Sequence, residues 1–573
     1  MDSRNFDSGA VLTTAGYCDQ PYVVKGDDGT WVCVMTTGGG SEGHPGQHVV
    51  SATSLDQGRT WSPPVDVEPR DGPEASWAMP LKVPYGRIYV FYTYNDRNMR
   101  SVISDYGATN RVDTLGAFVF RYSDDNGRTW SSRRHTIPVR KFRIDLENPY
   151  RGDVCFWWGV SKPIIHGGAA YIGFSKVGHF GEGFMAQSEG AFLKSVNVLT
   201  ERNPEAIEWE TLPDGEVGLR SPEGPVSDEQ NLVGLNDGSL YCTYRTITGW
   251  SCGAYSRDGG HTWTAPAFAV YTPNGRRFKH PRAANFVRKR ENGKYIYWFH
   301  NNSTRWYNTG ATAGNRNVAW LSGGTEREGF IHWSQPEIAL YNEDFHRGSS
   351  YPDFIEEGGR FFIISTQKTS ARTVEVDPEL LAGLWAQTPA VAEKGLILDA
   401  EKPQNAESVA NIVAPLDEGG SFSVDLWVRV AEPHPGAILV ENPPVEGRGF
   451  SLTVGRNAGI HFEMSDGWQA GLWESDPEVL ATPGPHHIVL TVDGGPKVIT
   501  YVIDGSLCDG GPARPFGWGR FSRSMKQVWG SAEVRFPAAQ ARILHARIYN
   551  RYLRTNEAVA NFEAERPQRL AAP

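Results

Sequence analysis

The sequence lacks three features that would assign it quickly to a class of protein. It has no apolar run long enough to span a membrane, and residues 1–15 lack the basic and apolar regions of a signal peptide. It also has no excess of positive charge, since its formal net charge is −10. We therefore expect neither a membrane nor a nucleic acid as partner, and any bound anion must be held by clustered Arg or Lys. The compartment stays open, with an extracellular location favoured if a signal peptide has been removed.

Cysteine is scarce, and its spacing excludes the common metal-binding patterns. The 573 residues contain 6 Cys, and none of them falls into a metal-ligand motif. We expect these side chains to act as small hydrophobic residues in strands, and we predict no metal and no cofactor.

Aromatic residues, glycine and proline are abundant. Aromatics make up 12% of the chain, with 19 Trp, and there are 63 Gly and 37 Pro. This mixture is typical of many short strands joined by tight turns, and so of an all-β protein. The length exceeds what one hydrophobic core normally supports, so we expect at least two domains.

One short pattern, Ser-x-Asp-x-Gly-x-Thr-Trp, occurs three times, at 54–61, 123–130 and 256–263. Each copy predicts a tight turn between two outer strands: Asp accepts backbone N–H bonds, Gly supplies the left-handed residue and Trp is buried beneath the turn. The second interval between copies is about twice the first. This spacing indicates a repeat architecture in which one unit has lost its copy.

The strands between these boxes follow a similar order in six units. We predict a β-propeller over residues 1–388, with six visible blades and room for a seventh because the stretch 132–156 and the N-terminal strand are not fully used. From 389 to 573 alternating strands occur without boxes. This second region resembles a concanavalin-like or laminin-G-like β-sandwich, which implies either a sugar-binding module or a domain that only packs against the propeller.

The boxes resemble the Asp-box repeats, also called BNR repeats, of the sialidase superfamily. The resemblance implies the propeller fold across about two thirds of the chain, but it says little about chemistry because the boxes stand on the rim opposite the site. Sialidases carry an Arg-Ile-Pro in the first blade, whereas this first strand has Gln20-Pro21. Sialidase site residues therefore cannot be transferred one by one.

A second resemblance concerns propeller enzymes that cleave L-rhamnose from α-1,4-linked D-glucuronate, with ulvan lyases as more distant relatives. It rests on the segments Glu42 to His48, Tyr94-Asn95, Lys162-Pro163, Tyr244 to Thr246, His280 to Arg282 and Ser350 to Asp353. It implies an exo-acting polysaccharide lyase that works on an acidic oligosaccharide or polysaccharide.

Strand directions place the site on the face opposite the boxes, where loops from every blade converge. We predict that Arg220 and Arg245 neutralise a uronate carboxylate and that His48 transfers the proton in a β-elimination. The residues expected to bind the sugar are His44, Asn95, Lys176, Arg282, His300, Asn301 and Tyr351.

Each assignment has a structural alternative. His48 can simply cap its strand, Lys176 can lie between blades, and Arg282 can bridge blades rather than hold substrate. Two further functions stay open: hydrolysis, by a rhamnosidase or a sialidase, and sugar binding without catalysis, as in a lectin.

Overall fold

The structure is a computed structural model, and it describes residues 2–14, 16–181, 184–306, 313–403, 405–409, 413–537 and 542–571. The chain is mainly β. Its α-helices are Arg143–Leu146, Pro378–Gly383 and Thr555–Ala571. Single 3₁₀ turns are found at Phe6–Ser8, Val112–Thr114, Pro204–Ala206, Ala313–Arg316 and Leu416–Glu418.

Six antiparallel sheets follow one another along the first 376 residues. Sheet 1 contains Tyr17–Lys25, Trp31–Gly38, His48–Ser54 and Val65–Asp66. Sheet 2 contains Ala75–Lys82, Ile88–Tyr94, Ala117–Ser123 and His135–Thr136. Sheet 3 contains Trp157–Trp158, Ile164–His166, Ala169–Gly181, Phe184–Ser195 and Glu210–Leu212.

The remaining three sheets of this region follow the same order. Sheet 4 contains Asp228–Gly234, Leu240–Arg245 and Cys252–Ser256. Sheet 5 contains Phe286–Lys289, Tyr295–Phe299, Ala319–Arg327, Phe330–Trp333 and Glu337–Leu340. Sheet 6 contains Ser350–Glu357, Arg360–Thr366 and Ala371–Glu375, and a small hairpin, Val102–Ser104 with Gly107–Thr109, lies outside the six sheets.

Each of these sheets contacts the next, and the sixth contacts the first. The first strands of sheets 1 and 2, of 4 and 5, of 5 and 6 and of 6 and 1 pack on one another, sheets 3 and 4 also pack together, and sheets 2 and 3 share a hydrophobic cluster. The N-terminal strand Ala10–Thr13 pairs with Ala371–Glu375 and so completes sheet 6. The six-bladed propeller predicted from the sequence is compatible with these contacts. The stretch 132–156 adds an outer strand to sheet 2 and a short helix rather than a seventh sheet.

The three boxes form the predicted turns after the third strands of sheets 1, 2 and 4. In the second box Asp125 accepts hydrogen bonds from the Thr129 N–H at 2.9 Å and from the Ser123 hydroxyl at 2.7 Å, and Gly127 has φ 79°. One expectation differs. Trp130 is half-buried rather than buried, and its indole N–H donates to the hydroxyl of the buried Ser51 of sheet 1 at 2.8 Å.

Replacing Asp125 by Ala should lower stability without changing catalysis. The change removes several hydrogen bonds to an ionised carboxylate, each worth about 1.5–3 kcal/mol, from a turn that joins two outer strands. We expect a lower melting temperature by calorimetry and an unchanged KM. An unchanged melting temperature combined with failed substrate binding would place the boxes beside the site instead.

The second region contains two further antiparallel sheets. The seven-stranded sheet contains Leu396–Glu401, Arg542–Tyr549, Phe422–Val430, Gly484–Asp493, Val498–Ile503, Ser506–Leu507 and Gly519–Arg520. The six-stranded sheet contains Asn405–Ser408, Glu533–Phe536, Ile438–Val445, Arg448–Val454, Ile460–Asp466 and Ala470–Glu474. Buried side chains from both sheets, such as Leu426 and Phe462, form one hydrophobic cluster.

The two regions share buried surface. One hydrophobic cluster joins Trp320 and Ile338 of sheet 5 to Val489 and Val502 of the seven-stranded sheet. The buried Glu337 accepts backbone N–H bonds at the start of the helix Thr555–Ala571, from Thr555 at 3.0 Å. A chain cut near residue 388 would therefore expose apolar surface on sheet 5.

The described cysteines are free thiols, and most of them are buried. Cys18, Cys33, Cys242 and Cys252 lie in strands, as expected, whereas Cys155 and Cys508 lie outside them. Among the described helices, none is both long enough and apolar enough to cross a bilayer.

Candidate functional site

Four first strands share one irregularity near their starts. In sheets 1, 2, 4 and 6 the pairing register shifts between the first and second strands, and a residue with positive φ lies at each shift. We call these four the bulge residues: Gln20 (φ 52°), Trp77 (67°), Glu229 (61°) and Tyr351 (49°). Bulges and left-handed non-glycine residues concentrate at functional sites, where they re-aim a side chain. All four are buried, at the strand ends opposite the boxes.

Glu229 lies in a buried network with Arg245. The Arg245 guanidinium, 1% exposed, donates to Asp228 at 2.7 Å and lies 2.8 Å from Glu229 Oε1. The indole N–H of Trp158 donates to the same Oε1 at 3.1 Å. Oε2 of Glu229 is buried and has no hydrogen-bond partner among the described residues. One carboxylate oxygen is therefore anchored while the other is available for proton exchange.

The surroundings of Glu229 shift its protonation toward neutral pH. Burial raises the pKa of Glu229 to about 7, with Arg245 opposing the shift and the Asp228 carboxylate adding to it. A carboxyl group with this pKa exchanges protons readily near pH 7.

Tyr351 lies next to this network. Burial raises the pKa of its hydroxyl, the Lys368 ammonium opposes that shift and the Glu229 carboxylate adds to it. The Nζ of Lys368 lies 4.3 Å from the centre of the Tyr351 ring. Glu229 and Tyr351 thus feel one another's charge, although they come from sheets 4 and 6.

Two more arginines border the pair. Arg282, 3% exposed, donates to Asp228 at 3.2 Å, and its Nε has no hydrogen-bond partner among the described residues. Arg316 donates to the backbone oxygen of Arg282 at 3.2 Å. The ring of Phe184 lies 4.3 Å from the Arg282 guanidinium and 5.7 Å from the ring of Trp306. Charged donors and aromatic faces are the usual wall of a sugar site.

A chain of alternating charges continues from Lys368 into sheets 1 and 2. Lys368 binds Asp19, and its Nζ lies 2.9 Å from Glu42, which in turn pairs with Arg111 at 2.8 Å. Arg111 also pairs with Asp113 at 3.0 Å. Against the effect of burial, Lys368 and Arg111 hold the pKa of Glu42 at about 2, whereas burial raises the pKa of Asp113 to about 6. Charges of both signs therefore surround the bulge residues.

Of the three residues predicted to be catalytic, only Arg245 lies in this cluster. Nδ1 of His48 is 3.0 Å from the Gly46 oxygen, and its Nε2 lies 3.5 Å from Asp66 on the outermost strand of sheet 1. Arg220 is 51% exposed and binds Glu189. Among the described residues no hydrogen bond or ion pair joins His48 or Arg220 to Arg245, so the predicted catalytic triad stays a prediction.

Two of the predicted sugar-binding residues have local partners, and a third is exposed. Asn95 is buried and closes its own loop through bonds to Glu74 at 2.8 Å and to the Met99 oxygen at 2.9 Å. Lys176 forms a fully buried pair with Asp145 at 2.6 Å, the structural alternative considered above. His44 is exposed on the loop between the second and third strands of sheet 1.

His300 and Asn301 follow the second strand of sheet 5. The His300 ring stacks on His280 at 5.8 Å, and its Nδ1 lies 3.2 Å from the Val318 oxygen. Asn301 accepts a bond from the Trp518 indole at 2.9 Å through its backbone oxygen, which ties this loop to the second region. Of the predicted binding residues, Arg282 and Tyr351 thus contact the cluster around Glu229.

Several cluster members were missed by reasoning from the sequence. Asp19, Arg111, Asp113, Asp228 and Arg316 were not singled out, because they come from four sheets. One signal was present: Gln20 and Tyr351 each precede a proline near the start of a first strand, and proline in a strand indicates a bulge.

A second group of polar side chains lies near the third box. Ligand atoms of Glu210, Asp214 and His261 lie within 4.8 Å of one another. The Lys194 ammonium lies 3.5 Å from His261 Nε2 and 3.7 Å from Glu210, so a cation already offsets the charge of this exposed group.

The comparison with family models agrees with the sequence motif. The BNR/Asp-box repeat model matches residues 121–132. A protein of unknown function from Dyadobacter fermentans is 13% identical with TM-score 0.46, over 64% of this chain and 97% of that one. Trypanosoma rangeli sialidase in complex with 2,3-difluorosialic acid is 14% identical with TM-score 0.44, and the match covers 99% of this chain and 98% of that one. The Hadza microbial sialidase Hz136 is 14% identical with TM-score 0.42, and the match covers 63% of this chain and 66% of that one. No curated protein matches. The chain carries a BNR/Asp-box repeat.

Proposed function

We propose that the chain is a glycan-cleaving enzyme whose catalytic centre is the cluster of Glu229, Arg245 and Tyr351. The first region is then a six-bladed propeller, and the second a concanavalin-like or laminin-G-like sandwich packed against it. The observation that carries the proposal is the set of four bulges, which turn one residue from each of four sheets toward a shared buried cluster. A fold that only needed packing would not require strained backbone at corresponding places in separate sheets.

The reaction we favour is hydrolysis of a glycosidic bond. The free oxygen of Glu229 takes the proton of the Tyr351 hydroxyl, and the phenolate oxygen attacks the anomeric carbon as the bond to the leaving sugar breaks. The leaving sugar oxygen takes its proton from water, and the hydroxide so formed attacks the anomeric carbon and displaces the Tyr351 oxygen. Protonated Glu229 then returns its proton to that oxygen, which restores both side chains. A general base with a pKa of about 7 is matched to this role at neutral pH.

The substrate we favour is an acidic sugar. Arg282 has an unpaired Nε, and Arg316 has only a backbone partner within the cluster, so both offer charged N–H groups to a carboxylate. Arg245 itself is satisfied by Asp228 and Glu229, and we assign it to holding Glu229 in place. A glycan ending in glucuronate and capped with rhamnose is the first substrate to test.

Elimination at a uronate is the second candidate, and the arginines favour it. Neutralising the carboxylate acidifies the C5 proton, which a base must then remove. His48 faces the outermost strand of sheet 1, so the role of base would pass to Glu229, whose pKa is about 7. The same cluster could therefore serve either reaction, and only the products distinguish them.

One assay tests the proposal. The full chain is incubated with the rhamnose-capped glucuronate glycan while released sugar and ultraviolet absorbance are followed together. Released sugar without new absorbance indicates hydrolysis, and absorbance from a C4–C5 double bond indicates elimination. Binding without released sugar from this and other acidic glycans would overturn the enzyme and support a lectin.

A further inference from the structure

A cavity of about 400 Å³ lies at the opposite ends of the first strands from the cluster around Glu229. Five cationic side chains from four of the six sheets line it: Lys25, Lys82, Lys162, Arg288 and Lys289. We propose that this cavity binds a tetrahedral oxyanion, a phosphate or sulfate group, at the box side of the sheet assembly. The inference is independent of the proposed catalytic function.

The deepest part of the cavity has more positive than negative charge. Lys162 and Arg288 share a single carboxylate, that of Asp353, at 2.7 Å and 3.4 Å. That carboxylate is also occupied by the backbone N–H of Val23 at 2.7 Å and of Phe354 at 2.8 Å. One buried negative charge therefore serves two half-buried cations, in a protein whose net charge is −10.

Arg288 has hydrogen-bonding capacity that the protein does not use. Its Nε is buried and has no hydrogen-bond partner among the described residues. A buried unpaired guanidinium N–H is costly unless a ligand or water satisfies it. An oxyanion in the cavity would accept this bond and offset the second charge.

The outer part of the cavity holds carboxylates as well as cations. Glu291 and Glu356 also line it, and Lys82 pairs with Asp27. Lys289 has only neutral partners, the Gly234 oxygen at 3.2 Å and the Asn236 side chain at 2.8 Å. Lys25 donates to the Glu356 backbone oxygen at 2.8 Å and lies 3.6 Å from the exposed Glu291. Ammonium groups on different sheets approach from different directions, which suits an anion with several oxygens better than a planar carboxylate.

The pKa of Lys162 fits an anion site. Burial lowers the pKa of Lys162 to about 8, against the attraction of Asp353. A bound dianion would raise that pKa again, so affinity for phosphate or sulfate should fall as the pH rises above about 8.

The test is calorimetric titration of the full chain with inorganic phosphate and, separately, sulfate, against chloride at matched ionic strength and pH 7. We expect saturable binding and a concentration-dependent rise in melting temperature. The double variant Lys25→Gln/Lys289→Gln changes only the outer, more exposed cations and should fold normally while losing at least tenfold in affinity. Arg288→Gln should lose binding, whereas Asp353→Asn, which removes the competing carboxylate, should bind more tightly.

The matched control is Arg566→Gln, which removes an exposed cation paired with Glu563 on the C-terminal helix, away from the cavity. It should bind like the unaltered chain, because sulfate also stabilises proteins by general exclusion from their surface. The same stabilisation in every variant, or no saturable binding of either anion, would overturn the proposal. Binding of phosphate alone or of sulfate alone would identify which group the cavity prefers.

Discussion

Replacing Glu229 by Gln should reduce turnover by about a thousandfold or more, with substrate affinity changed little. The amide keeps the shape and can still accept from Trp158, but it cannot take a proton, and proton transfer typically contributes 10²–10⁴-fold. Tyr351→Phe should give a similar loss, because it removes the atom on which Glu229 acts. The two effects should not add in the double variant, since the residues act as a unit.

The control for this prediction is Glu208→Gln, an exposed carboxylate on the loop before the outer strand of sheet 3. It should keep full turnover. If Glu229→Gln folds and turns over normally, the proposed centre is wrong, and the next groups to test are His44 and His48.

The pH dependence of the reaction follows from the raised pKa of Glu229. A general base must be ionised, so kcat/KM should rise with pH through a pKa of about 7, the value that burial gives this carboxyl. This rise of kcat/KM with pH should be absent from the residual activity of the Glu229→Gln variant. A profile that instead falls with pH through 7 would mean that Glu229 acts as an acid.

Replacing Arg245 by Ala should have the second large effect, on both activity and stability. It leaves Asp228 and Glu229 as close buried carboxylates without their shared cation, and breaking a buried pair costs about 3–5 kcal/mol. We expect a lower melting temperature and at least a hundredfold loss of turnover. Arg245→Lys should recover little, since one ammonium cannot bridge both carboxylates in the way the guanidinium does.

Loss of stability alone must be separated from loss of chemistry. Arg87→Ala breaks another arginine–carboxylate pair, with the more exposed Asp124 at 2.7 Å, near the second box and away from the cluster. This control should melt earlier yet keep its turnover at a temperature where it is folded. If Arg245→Ala behaves in the same way, Arg245 is structural only.

The second region should prove less separable than the domain boundary predicted after residue 388 indicates. Trp320 and Ile338 of sheet 5 pack against residues beyond 480, and the long C-terminal helix begins on Glu337. Those contacts join residues more than 150 positions apart in sequence. No local sequence pattern near residue 388 predicts these contacts. The boundary therefore stays a prediction of where one domain ends, and it does not predict that either domain folds alone.

By itself, the sequence determined what depends on nearby residues. The box turns are held by bonds spanning two to four positions, such as Ser123 to Asp125 and Asp125 to Thr129, and so they could be predicted. The mainly β content followed from composition in the same way. Arg245 could be recognised as a buried charge in need of a partner, although the partners are Asp228 and Glu229 of its own sheet rather than a ligand alone.

Only the tertiary structure decided the site, because its members are brought together by the packing of separate sheets. Lys368 reaches Asp19 and Glu42 from the far end of the first region, and the Glu229 carboxylate of sheet 4 acts on the pKa of Tyr351 in sheet 6. His48 shows the same limit within one sheet. Its position at a strand start was read correctly, but strand pairing turned the imidazole toward Asp66 on the outermost strand, since side-chain direction depends on register that a sequence pattern alone does not fix.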